Sequence, residues 1–125
     1  MEEDLLLFFG SHMDALPIYR RLKACILSQI PDVRLKIQKS QISFYNRHLF
    51  ACVSFARVRP AASRPPVWLV VTFGLDHPVD SPRIDIVTEP YPNRWTHHLL
   101  LSAPDEVDEQ LMDWLQEAAC FSQNK

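Results

Sequence analysis

After Pro31 the hydrophobic rhythm of the chain becomes two residues long. Val33, Leu35 and Ile37 alternate with Arg34, Lys36 and Gln38, and Ile42 and Phe44 alternate with Ser43 and Tyr45. Successive side chains on an extended strand point to opposite faces, so this rhythm predicts a sheet with one apolar and one cationic face. Two stretches, Leu49 to Ala56 and Val67 to Leu75, are apolar enough for central strands, and Asn46-Arg47-His48 reads as the hairpin turn before the first of them. Arg57 to Pro66 carries three prolines and no periodicity, which predicts an exposed loop with a mobile tip. Four prolines between Asp76 and Asn93 surround an edge strand at Ile84 to Thr88, and alternation resumes from Trp95 to Leu101.

Helical patterns flank this region. Glu2 to Phe9 reads as a short helix with acidic residues at its positive end and Gly10 placed to stop it. A second helix is expected with Asp14 as N-cap and Pro17 in the first turn. Its apolar stripe is Tyr19, Leu22, Ile26 and Ile30, joined by Ala15, Ile18 and Cys25, and Pro31 ends it. In the last helix Ser102 is the expected cap, Pro104 lies in the first turn, and Asp105, Glu106 and Asp108 load the dipole. Val107, Leu111, Trp114, Leu115 and Ala118 are its expected buried stripe. Helices at both ends of a run of strands predict an α+β fold. The expectation is an antiparallel sheet of about five strands, helices packed on one face, and one domain over residues 1–125.

Only two glycines, Gly10 and Gly74, occur in 125 residues, so no glycine-rich phosphate loop exists and no cofactor is expected. The three cysteines, Cys25, Cys52 and Cys120, are widely spaced among apolar neighbours, which predicts free thiols in a reducing compartment. An acidic start before a short apolar run does not resemble a secretory leader, and no stretch has membrane-spanning length, so the chain is expected to be cytoplasmic without membrane contact. Gly10-Ser11-His12-Met13 matches a tag-cleavage remnant but follows a native-looking start, and is read as a genuine turn.

Charge is segregated along the chain. Residues 19–64 hold ten basic side chains against Asp32 alone, a balance of +9 that the remainder, at −11, conceals in a net charge of −2. If the alternation holds, Arg34 and Lys36 project from the sheet face opposite Val33, Leu35 and Ile37. Arg34, Lys36, Lys39, Tyr45 and Arg47 are therefore the candidate residues for an anionic ligand or protein partner. In the competing arrangement the acidic C-terminal helix lies across from the basic segment and neutralises it.

The adjacent histidines of Arg94-Trp95-Thr96-His97-His98 point to opposite faces of a strand and cannot share a metal from their own positions. His97 shares a face with Trp95, Leu99 and Leu101, as a half-buried hydrogen-bonded imidazole, while His98 joins Thr96 in solvent. Asp76, His77, Asp80, Asp85 and either histidine offer metal-type donors without a ligand template, so no metal site is assigned. Ser43, Ser54 and Cys52 lack an identifiable base.

Several strings resemble the bacterial domain of unknown function 5655. They are Phe8-Phe9-Gly10, Pro31-Asp32-Val33, Lys39-Ser40-Gln41-Ile42-Ser43-Phe44, Asp80-Ser81-Pro82-Arg83-Ile84, Arg94 to His98, and Ser102 through Trp114. The resemblance spans nearly the whole chain and implies no activity. A looser likeness to YdhG-type iron-chaperone-like domains concerns only a helix followed by an antiparallel sheet. The function expected is a small non-enzymatic binding or interaction domain whose basic face meets an anion. One alternative is a hydrolase or isomerase-like enzyme using His97 with Asp80 or Asp85; another is a nucleic-acid-binding domain, weakened by a pI near 6.2.

Overall fold

A computed structural model describes the backbone of residues 2–125 and the side chains from Glu3 onward. The elements run α1 (Glu2–Phe9), α2 (Leu16–Gln29), β1 (Arg34–Ile37), β2 (Ile42–Tyr45), β3 (Leu49–Ser54), β4 (Leu69–Leu75), β5 (Ile86–Tyr91), β6 (Arg94–Leu101) and α3 (Glu109–Gln123). The architecture is α+β, with six strands rather than about five. All neighbours are antiparallel, in the order β1-β2-β3-β4-β6-β5. Among the described residues no helix is long and apolar enough to cross a membrane.

The two-residue rhythm is realised in the burial pattern of β1, whereas β2 buries Ser43 along with Ile42 and Phe44. Val33, Leu35 and Ile37 pack against the core while Arg34 and Lys36 are exposed. Across the sheet, Phe44, Ala51, Phe73 and His97 are consecutive register partners on the inner face, and Ile42, Val53, Val71 and Leu99 form the next row. Ile18, Leu22 and Ile26 of α2 and Leu111, Leu115 and Ala118 of α3 close this face. Each Val, Leu, Ile or Phe side chain removed from water here contributes about 1.5–3 kcal/mol before entropy is counted.

The outer face has a second, smaller cluster. Trp68, Val70 and Leu100 are buried there with Phe55 and Val58 packed on them. The Arg57–Pro66 segment is therefore not simply an exposed loop. Phe55, Val58 and Trp68 draw it onto the outer face and leave Val58, Arg59, Arg64 and Pro65 half-buried, while Arg57, Pro60–Ser63 and Pro66 stay exposed. Sequence periodicity missed this because apolar anchors spaced across a proline-rich stretch follow neither helical nor strand period.

Helix ends depart from expectation at two places. Asp14 caps nothing. A 3-10 turn, Gly10–Ala15, runs directly into α2, and Leu16 N–H finds Met13 O, so α2 begins with no side-chain cap. Gly10 adopts φ +49°, a left-handed conformation that glycine takes without a Cβ penalty, and so redirects the chain after α1. Ser102 is likewise not the cap of α3. It donates its N–H to Glu106, and a short 3-10 turn at Pro104–Glu106 intervenes. The α3 cap is Asp108, whose carboxylate accepts from Leu111 N–H at 3.0 Å. Val107, expected on the helical stripe, is buried but precedes the helix. Arg83 ties this start down, donating to Asp108 at 2.7 Å and to the Glu106 carbonyl. The edge strand β5 runs to Tyr91 and tolerates Pro90 because its far side has no strand to bond.

The β2–β3 turn is locked to α3 by a buried polar network. Asn46 donates to Ala119 O at 2.8 Å, and the Ser122 hydroxyl donates to Asn46 while accepting from His48 N–H at 3.1 Å. Asn46→Ala removes two buried hydrogen bonds, to the Ala119 carbonyl and from the Ser122 hydroxyl, an expected loss of about 1–3 kcal/mol. Urea unfolding should show a lower midpoint at unchanged slope, and an unchanged midpoint would contradict the role given to this network.

Candidate functional site

The structure separates the five basic-face candidates. Arg34 and Lys36 project from the outer face of the edge strand β1, opposite Tyr45 and Ser43 in register. The Arg34 guanidinium donates to Asn46 O at 2.7 Å, and Arg47 is held at the β2–β3 turn by Gln123. Lys39 stands apart, at the β1–β2 turn, and lines a different surface.

That surface is a groove where three connections meet. The β1–β2 turn (Lys39, Ser40, Gln41), the α1–α2 junction and the end of β3 enclose a pocket of about 610 Å³. A second pocket of about 440 Å³ shares His12 and Phe55 with the first and continues past Arg57 and Arg64 to Trp68. Neither lining contains a carboxylate. Two strings read above as family-like, Phe8-Phe9-Gly10 and Lys39-Ser40-Gln41, lie about thirty residues apart in sequence and meet in the first pocket.

Aromatic packing sets the shape of the groove. His12 sits at a kink (φ −109°, ψ 35°) and stacks on Phe55 with centroids 4.2 Å apart, edge-on to Trp68 at 5.5 Å. Phe8 stacks on the same Phe55 at 5.2 Å, and the Arg64 guanidinium lies 4.9 Å from the Trp68 centroid. Such cation–π contact is worth about 0.5–1 kcal/mol at a surface site and holds the cation in place without neutralising it. Trp68 is 6% exposed and Phe8 5%, so these two rings offer no bare stacking platform, while His12 and Phe55 are half-buried. Among the described residues, Lys39, Arg57 and Arg64 make no side-chain hydrogen bond and no ion pair.

His97 has no surface at all, being 0% exposed rather than half-buried. Its ring stacks on Phe73 at 4.9 Å, its Nε2 accepts from Val79 N–H at 3.0 Å, and its Nδ1 has no partner. Burial pushes its pKa below the ordinary imidazole value. The carboxylates expected beside it are elsewhere. Asp85 receives Arg59 at 2.7 Å and Leu100 N–H at 2.9 Å, and Asp80 is exposed with no hydrogen bond to His97. The pockets described here do not include His97 in their linings. His98 is not free in solvent either: it is half-buried on the outer face, shares a 2.8 Å hydrogen bond with Thr72, and burial lowers its pKa too. Burial raises the Cys52 thiol, which removes it as a ready nucleophile.

The sequence of residues 7–122 matches the family described as a domain of unknown function, DUF5655. The chain belongs to that family. No curated protein and no solved structure matches it. In this DUF5655 chain the residues that sequence reading missed are His12, Arg57, Arg64 and Trp68. Arg57 and Arg64 were counted only as net charge, and His12 lay in a string read as a turn. A smaller pocket of about 280 Å³ between the end of α2 and α3, bordered by Gln29, Gln116 and Cys120, holds no charged group and carries no comparable chemistry.

The depressed His97 pKa has a consequence for stability. Above the unfolded-state value near 6.5 the imidazole is neutral in both states and the protein keeps full stability. As pH falls below that value the unfolded chain binds a proton that the folded chain refuses, so stability declines toward the lower folded value. His97→Phe should flatten this decline, measured as unfolding midpoint against pH across the neutral-to-acid range. His98 contributes with the same sign, so His98→Phe is the companion variant.

Proposed function

We propose that this protein is a binding domain that takes an anionic ligand, or an anionic group of a protein partner, in the groove between the β1–β2 turn, the α1–α2 junction and the β3–β4 loop. The observation that carries this reading is the pair of adjoining pockets with Lys39, Arg57 and Arg64 in their linings, no carboxylate, and no intramolecular partner for those three cations among the described residues. Among the described residues, Arg59, paired with Asp85, is the one of the ten basic residues between 19 and 64 that forms an ion pair with a carboxylate, which favours a free cationic surface over pairwise neutralisation. A concave cationic surface with low-dielectric walls concentrates anions and speeds their arrival.

The burial of Trp68 and Phe8 argues for a compact anion over single-stranded nucleic acid, because binding of bases needs exposed ring faces and these two rings have almost none. Among the described residues His12 makes no hydrogen bond to Ser11, Ser40 or Ser54 of the same lining, which supports a binding role over catalysis.

Titration with pyrophosphate and with citrate, followed through tryptophan fluorescence and amide resonances, tests the site. Arg57→Glu and Arg64→Glu should each weaken binding by about tenfold or more, with affinity falling as salt rises. Equal losses from Arg34→Glu and Lys36→Glu would instead move the site to the outer face of β1. Affinity unchanged in the Arg57→Glu/Arg64→Glu double variant would end the groove proposal.

A further inference from the structure

At the corner where β4 leaves the sheet and passes α3, Asp76 and His77 meet Glu117. Each offers one donor atom, and the three donors lie within 4.8 Å of one another. Metal–ligand bonds of about 2.0–2.2 Å hold donors somewhat closer than this, so a small side-chain adjustment completes the set. The three side chains are exposed, while the residues beside them are anchored in the core. Leu75 beside Asp76 and Ala118 beside Glu117 are buried, and Trp114, one turn before Glu117, stacks on Phe73 at 6.0 Å.

A second observation lies outside the triad. His77 Nδ1 is 3.1 Å from the Pro78 carbonyl, so that nitrogen donates its proton there, and Nε2 faces the carboxylates, donating to Glu117 a proton that a metal ion would displace. Metal-binding histidines are held by this outer hydrogen bond to a carbonyl or carboxylate, which fixes the tautomer and the ring plane. Among the described residues no lysine or arginine bridges Asp76 or Glu117, and His77 is the one group that contacts both within 4.0 Å.

We propose that Asp76, His77 and Glu117 form a divalent-metal site for a borderline first-row ion of the zinc, cobalt or nickel class. One imidazole nitrogen and two carboxylate oxygens suit such ions, whereas calcium and magnesium favour all-oxygen shells. Exposure of all three residues leaves the remaining coordination positions to water or to an incoming ligand. The site shares no residue with the cationic groove and stands or falls independently of it.

The test is calorimetric titration of chelator-stripped protein with zinc at mildly alkaline pH, with cobalt absorption as the spectroscopic readout. One equivalent should bind, with a d–d spectrum for mixed nitrogen and oxygen ligation and with perturbation of the His77 ring resonances. His77→Ala and Glu117→Gln should each weaken binding by about tenfold or more, with circular dichroism confirming that both variants are folded, and Asp80→Asn should leave it unchanged. Zinc binding that survives both variants, or that magnesium displaces equally well, would place the metal at adventitious surface histidines and overturn the assignment.

Discussion

The pairing of β4 with β6 is the constraint on which the rest of the molecule depends. Their register runs from Leu69 opposite Leu101 to Leu75 opposite Trp95, uninterrupted. It sends Val71, Phe73, Leu99 and Leu101 toward the helices and Val70 and Leu100 to the other side. A slip of one residue would exchange the faces of β6, placing His98 and Leu100 inside and Leu99 in water. The outer positions of Val70 and Leu100 matter as much as the inner ones. They give Trp68, Phe55 and Val58 something to bury against, and so draw the β3–β4 loop across the sheet. The position of the cationic groove is thus a downstream consequence of strand register.

The sheet was legible because its signal is repeated and local. Alternation at Val33 to Ile37 and Ile42 to Tyr45, and the apolar runs of β3, β4 and β6, each fix a face without reference to anything distant. The helix starts were less legible. Asp14 and Ser102 have capping chemistry, but a 3-10 turn before each helix changed which N–H groups were orphaned, and only three-dimensional continuity reveals that. His97 and His98 were assigned to the correct opposite faces, yet their burial was understated. A strand pattern gives the direction of a side chain and says nothing of how thickly the neighbouring elements cover it.

The site was harder to read for a related reason. Lys39 was among the residues singled out, but its natural companions are Arg57 and Arg64 on a loop whose path depends on Phe55 and Trp68 finding the outer face. Arg34 and Arg47, closer to Lys39 in the strand pattern, are diverted into hydrogen bonds with Asn46 O and Gln123. Asp76 and His77 were noted as donors, whereas Glu117 comes from a helix forty residues later and has no local signature.

Segregation of charge along the chain becomes segregation in space because of how the elements are connected. The basic segment supplies the β1–β2 turn and the β3–β4 loop, while most acidic residues after Leu75 lie on α3 and the connections beside it. The aromatic contacts among Phe8, His12, Phe55 and Trp68 join the α1–α2 junction and the β3–β4 loop into one wall. An anion entering such a groove does not have to order flexible loops, a step that would otherwise cost about 0.5–1.5 kcal/mol per immobilised side chain. The long cationic side chains still need fixing, and for Arg64 the Trp68 ring already does part of that. Packing that looks purely structural, a tryptophan beneath an arginine on the second face of a sheet, is therefore what holds that charge at the groove.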